Sequence, residues 1–291
     1  MGLDILFQQL LFGLFVGALY GIAAVGLSLV FGVLRVLNVA HGELLMLGGY
    51  VSFFLFSLLG LDPFLSLLVC APVMFLAGVA LHLGLFRLVT RLDEEARIKG
   101  SLLISFELTL VLHNLAIQLF TADERTISLS YAGSAIVGGL VFPYVRVAGL
   151  LVALAVIALL DLVLRRTYLG KAIRATAVDW EAASLAGIDV QRAYLIAFAL
   201  GTALAGVAGT LVAVGYSVTP SIGLAWTLKS MVVVVLAGLG STLGAFVAGL
   251  LLGVVEAGSV TVIGAGYREV VGLVMFLAVL LIRPQGLFGR R

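Results

Sequence analysis

The chain has 291 residues, 63% of them hydrophobic and only 11% charged, with a net charge of +2. Soluble proteins carry about 25% charged residues, so this chain cannot clothe a water-facing surface. A charge this close to neutral gives no footing for nucleic acid, and the lone Cys70 excludes an internal disulfide. Ten-residue stretches of alternating hydrophobicity are absent. The expected fold is therefore all-α, a polytopic transmembrane helical bundle of about eight or nine spans, forming a single domain over 1–291. No cleavable signal is expected, because the Met1 end lacks a basic segment and its apolar run is too long.

The first span is predicted over Ile5 to Leu34, longer than the ~20 residues a bilayer needs. Gly13, Gly17 and Gly21 recur every fourth residue and give it one smooth side, the kind of strip that lets helix backbones approach closely in lipid. Next comes Arg35 to Tyr50, where Arg35, Asn38, His41 and Glu43 interrupt the hydrophobicity beside Gly42, Gly48 and Gly49. This is either a plain cytosolic turn or a helix break at membrane depth, which is tolerated only when buried in protein or lining a cavity. One His and one Glu are too few for a metal site, so none is expected.

The second span ends near Leu59, and Gly60 to Pro63 forms an external turn. A third span, Phe64 to Val89, leads to a charged loop with Arg87, Arg91, Arg97 and Lys99. The fourth, Ser101 to Phe120, contains Glu107, His113 and Asn114. An ionisable group inside a span costs several kcal/mol unpaired, so Glu107 either lines a pathway or pairs with a neighbouring helix. Thr121 to Tyr144 reads as an external loop, and the fifth span covers Val145 to Leu164.

The stretch from Arg165 to Arg192 is the longest later segment that water can solvate. Asp179 to Leu185 reads as a short helix within it: Asp179 caps it, Glu181 lies in its first turn, Ala182 and Ala183 are small, and Gly187 ends it. It is either an ordinary interfacial connector or a docking helix for a cytoplasmic partner. The sixth span, Ala193 to Val214, carries a second small-residue strip at Gly201, Ala205 and Gly209. A short seventh span ends near Leu239, an eighth runs from Leu243 to Ile263, and the last from Val270 to Ile282. A re-entrant helix around the Gly238–Gly244 break is the competing reading.

Basic residues concentrate in the loops that this scheme makes cytoplasmic. Only Arg125, Arg146, Lys229 and Arg268 fall elsewhere. The positive-inside rule then puts the N-terminus outside and the C-terminus inside. No phosphate-binding loop, HExxH, cysteine pair or nucleophile elbow is present, so no catalytic residues are expected and the chain is read as a transport subunit, not an enzyme.

Four stretches, in order along essentially the whole chain, resemble one family. Asn38 to Glu43 is similar to the N-x-A-H-G-E signature of the permeases of branched-chain amino acid ABC importers. Gly238 to Ala245 resembles that family's G-x-G-S-x-x-G-A, and Arg283 to Gly289 its R-P-Q-G-L-F-G tail. The loop containing Glu181, Ala182, Ala183 and Gly187 resembles its cytoplasmic coupling segment. Glu107 departs from the pattern, where a neutral residue is more usual.

The resemblance implies an inner-membrane, multi-pass permease that pairs with a second homologous permease, two cytoplasmic ATPase subunits and an extracytoplasmic solute-binding protein. ATP would be bound by the partners, with no cofactor on this chain. Asp179, Glu181, Ala182, Ala183, Leu185 and Gly187 would couple to the ATPase, while Asn38, His41, Glu43 and Glu107 would line the pathway or gate. The implied solutes are leucine, isoleucine and valine, with urea, amides or aromatic acids carried by relatives. The rival classes are a gradient-driven transporter with Glu107 or Glu256 as proton relay, and a passive channel.

Overall fold

The computed structural model describes residues 3–127 and 133–289. Part of the expected loop at 128–132, and the arginines at 290 and 291 counted in the charge pattern, lie outside the described residues. Among the described residues twelve α-helices follow in order: α1 Leu3–Leu34, α2 His41–Leu59, α3 Pro63–Leu81, α4 Arg87–Val89, α5 Glu94–Phe120, α6 Tyr144–Arg166, α7 Tyr168–Val178, α8 Trp180–Leu185, α9 Val190–Gly215, α10 Ile222–Ala237, α11 Thr242–Val262 and α12 Arg268–Ile282. A π-helical turn, His82–Phe86, fuses α3 to α4. Eight helical segments among the described residues are long and apolar enough to cross a membrane, and α10 is a shorter apolar helix of 16 residues.

Local chemistry sets most helix starts. Asp62, Asp93, Thr167, Asp179, Asp189 and Ser241 each stand at an N-cap and accept a hydrogen bond from a backbone N–H in the first turn. Asp93 starts α5 a full two turns before the expected Ser101, which draws Arg97 into the helix. Arg97 is consequently buried, donating to the Leu34 and Leu92 carbonyls and to Tyr194 Oη. It ties the end of α1 to α5 and α9, a structural duty that its place in a charged stretch did not reveal. The expected external loop contains a small antiparallel hairpin, β1 Ser134–Val137 with β2 Leu140–Pro143. Gln8 docks it on α1 by exchanging two hydrogen bonds with the Val141 backbone, at 2.9 and 2.7 Å.

The core is built around α1 and α9. In lipid no hydrophobic force separates helix from solvent, so association rests on van der Waals contact, and small residues govern it. The glycine strip of α1 meets α11: a Cβ at Gly17 would lie 2.7 Å from Leu250 Cα and 2.8 Å from the Gly249 carbonyl oxygen. Gly13 abuts Gly253 and Val254, and Gly21 abuts Phe246. On α9, Gly201 contacts Gly26 and Val30 of α1, Ala205 is fully buried, and Gly209 contacts Leu45 and Gly49 of α2. Both predicted strips are contacts within the chain.

Gly17→Leu should therefore destabilise the fold by about 1–3 kcal/mol or more, as overpacked cores do. Gly149→Leu, where a Cβ meets nothing within 4 Å, should not. Thermal unfolding of the two purified variants in detergent is the check, and equal stability would refute the close α1–α11 contact.

Candidate functional site

The polar stretch after α1 is a buried break and not a surface turn. Arg35 reverses the chain directly after α1 with a left-handed φ of 55°. The backbone then runs back alongside α1 without helical structure, until α2 starts at His41. His41 Nε2–H donates to the Ala23 carbonyl at 2.8 Å, and Ala23 lies about 16 Å along α1 from its Leu34 end. Asn38, His41 and Glu43 are all buried.

Backbone groups in such a place need partners, and side-chain hydroxyls supply them. Leu37 N–H donates to Ser101 Oγ and Val39 N–H to Ser105 Oγ, both at 3.1 Å, while Ser105 Oγ donates to the Leu37 carbonyl. Thr227 of α10 accepts from Gly42 N–H at 2.8 Å and donates to the Val39 carbonyl at 2.9 Å. Gly42 and Gly223 leave room for this: a Cβ on Gly42 would collide with the Gly223 carbonyl, and one on Gly223 with the Glu43 carboxylate. Three of the buried side-chain atoms that lack a partner among the described residues lie in this break: Asn38 Oδ1, His41 Nδ1 and Glu43 Oε2. Native interiors seldom leave buried polar atoms without partners, so their concentration here marks this break.

Glu107 sits apart from the break. It is exposed on α5, and Asn114 and Gln118 are exposed on the same helical face. The leucine and phenylalanine side chains around them, Leu103, Phe106 and Leu110, are also half exposed. Glu107 has no salt bridge or hydrogen-bonding partner among the described residues. Glu256, by contrast, is fully buried and engaged by Lys229, Tyr20 and Arg268.

The short helix α8 forms as its local sequence dictates. Asp179 Oδ1 accepts from Ala182 N–H at 2.9 Å, and Glu181 lies in the first turn. Gly187, at φ 83°, ends it with its N–H on the Ser184 carbonyl and the Ile188 N–H on the Ala183 carbonyl. This pair of bonds closes the helix and needs a left-handed residue, which glycine supplies without strain. One expectation is corrected. Ala183 is 4% exposed and turned into its own chain, so it is small because α8 packs down on it and not because a partner does. The outward face carries Ala182 and Leu185, with Leu185 91% exposed and Val178, just before the helix, 86% exposed. The helix preceding it, α7, was not foreseen and bears on α1, α6 and α9.

The two C-terminal motifs lock together. Leu287 and Phe288 donate their N–H groups to the Leu236 and Ala237 carbonyls at the end of α10, both at 2.8 Å. Gly238 and Gly286 are in backbone contact, and Phe288 packs on Gly244. The glycine-rich break between α10 and α11 is thus closed by the chain's own tail. No group of three or more metal-binding side chains occurs among the described residues.

A family model described as the permease component of the branched-chain amino acid transport system matches residues 9–281. The high-affinity branched-chain amino acid transport system permease protein BraD of Pseudomonas aeruginosa is 33% identical, over 97% of this chain and 95% of its own. The corresponding LivH proteins of Salmonella typhimurium and Escherichia coli are 33% and 32% identical over the same shares. No solved structure matches. With a family match across nearly its whole length and relatives above 30% identity, this multi-pass membrane chain belongs to the branched-chain amino acid transport system permease family.

Proposed function

We propose that the chain is one permease subunit of an ATP-driven importer that moves branched-chain amino acids across the inner membrane. The relatives named for that transport support the solute class. The observation that carries the coupling to ATP is α8. A capped helix joined to the spans through α7, with Leu185 and Val178 left almost wholly exposed, is an apolar surface that water does not favour and a partner would cover. Two cytoplasmic ATPase subunits would dock there, and their closure on ATP would shift α8 and, through α7, the spans α6 and α9. In this reading the end of the bundle bearing α8 is cytoplasmic and the hairpin end faces an extracytoplasmic solute-binding protein. ATP is held by the partners, with no cofactor of this chain's own.

A second homologous permease would stand against the exposed face of α5. A carboxylate inside a span costs about 2.5–3.5 kcal/mol even on forgiving scales, so Glu107, Asn114 and Gln118 belong against protein or a water-filled passage and not against lipid. The break at Asn38, His41 and Glu43 would gate that passage, its unpaired buried atoms being groups that a change of state can satisfy. A gradient-driven carrier with Glu256 as proton relay fits less well, because Glu256 is already held by three donors.

Two substitutions test this reading. Leu185→Glu should abolish capture of the ATPase and solute-stimulated ATP hydrolysis while leaving the permease folded, since the side chain touches little of its own chain. Wild-type pull-down would return α8 to a solvated connector. His41→Ala should lower uptake in reconstituted vesicles by about tenfold, equivalent to 1.4 kcal/mol on the transport barrier, with the complex still assembled. Normal uptake by the alanine variant would remove the break from the gate.

A further inference from the structure

Two of the four basic residues that depart from the positive-inside pattern, Lys229 and Arg268, converge on one acid. Glu256 of α11 is enclosed, its side chain 1% exposed. Lys229 Nζ of α10 lies 2.7 Å from Oε1, Tyr20 Oη of α1 donates to Oε2 at 3.1 Å, and Arg268 Nε of α12 lies 3.4 Å from Oε2. Arg268 Nη2 also donates to Tyr20 Oη at 3.4 Å. The Lys229 ammonium stands 5.2 Å from the centroid of the Tyr20 ring, whose other neighbour is Trp226, edge-on at 5.7 Å. Gly272 leaves the space beside Glu256 Oε1 that any side chain would invade.

The charges do not balance. Two cations face one carboxylate, and no other acid among the described residues pairs with either cation. A net positive charge within a membrane-spanning bundle is costly unless an anion meets it. Glu256 is sealed, but Lys229 and Arg268 keep 20% and 35% of their side chains exposed, so the surplus is presented outward at the α10–α12 side. An anion that meets this surplus has to come from outside this chain.

We propose that Lys229 and Arg268, positioned by Glu256 and Tyr20, receive the carboxylate of the amino-acid solute during its passage. The proposal rests on the transport reading above and names the solute group that this cluster recognises. One surplus charge suits a transient stop: binding must be strong enough to draw the solute in and weak enough to release it. Glu256 halves the pull that two bare cations would exert and holds them in place beforehand, so little ordering is needed when solute arrives. The aromatic pair Tyr20 and Trp226 offers apolar surface beside the charge.

The test uses the complete complex in proteoliposomes with its binding protein, radiolabelled leucine and ATP. Arg268→Gln leaves the Lys229–Glu256 pair intact and the cluster neutral. It should lower the maximal rate of leucine uptake by about tenfold or more, with KM for the loaded binding protein and ATPase capture unchanged, and Arg268→Lys should restore uptake. The double variant Lys229→Met/Glu256→Gln removes the buried pair yet keeps the surplus charge on Arg268, and it should transport better than Arg268→Gln. Wild-type uptake by Arg268→Gln overturns the inference, as does the reverse ranking, which marks a purely structural ion pair. Loss of the second permease from the Arg268→Gln complex also overturns it, assigning the anion to that subunit. A wild-type complex that imports no amino acid overturns the transport reading itself, and this inference with it.

Discussion

The contact between α1 and α11 sets the geometry of much of the bundle. Two helices whose facing residues are Gly13, Gly17 and Gly21 on one side and Gly249 and Gly253 on the other approach until backbone meets backbone. At Gly13 and Gly17 no bulky side chain holds the backbones apart, and at Gly21 the Phe246 ring takes the space that a side chain would need. The same alignment brings Gly32 against Gly240 at one end, where the tail closes the α10–α11 break. Farther along it brings Tyr20 beside Glu256 and so builds the charged cluster. A single packing register thus fixes both a capped end and a polar centre.

A second constraint is the demand of unpaired backbone. Segment 36–40 has no helix to satisfy it, and three hydroxyls from α5 and α10 do so instead. Thr227 bonds to both sides of the break, at the Val39 carbonyl and the Gly42 N–H, while α10 also carries Lys229 into the charged cluster. One short helix therefore touches both polar features of the interior. Movement of α10 would be felt at the break and at Glu256 together.

Much of this was legible in the sequence where the cause is local. Asp179 and Gly187 delimit α8 because capping depends on neighbours a few residues away, and the fourfold glycine spacing on α1 declares a close contact without naming the partner. What stayed hidden is tertiary. Ala183 belongs to a helix of six residues, too short for periodicity to say which side faces inward. Arg97 reads as one more positive charge in a loop until Asp93 starts α5 early and Leu34 arrives as its acceptor. Lys229 and Arg268 look like exceptions to a topology rule, and only the fold shows that they share Glu256. The β1–β2 hairpin is legible too, since Ile136-Val137 and Leu140-Val141 flank the Gly138-Gly139 pair that a tight two-residue turn needs, but it is passed over inside a loop that reads as polar.

The α1–α11 contact also bears on how the chain is made. Gly13 enters the membrane first, while its partner Gly253 is synthesised near the end. At 5–20 residues per second the interval is on the order of 10 to 50 s. Throughout that time the face bearing Gly13, Gly17 and Gly21 stands open in the bilayer, where unrelated helices could pack on it as readily as α11. The segment that determines the final register is thus the one that waits longest, and its fidelity depends on what lipid or insertion machinery covers it meanwhile.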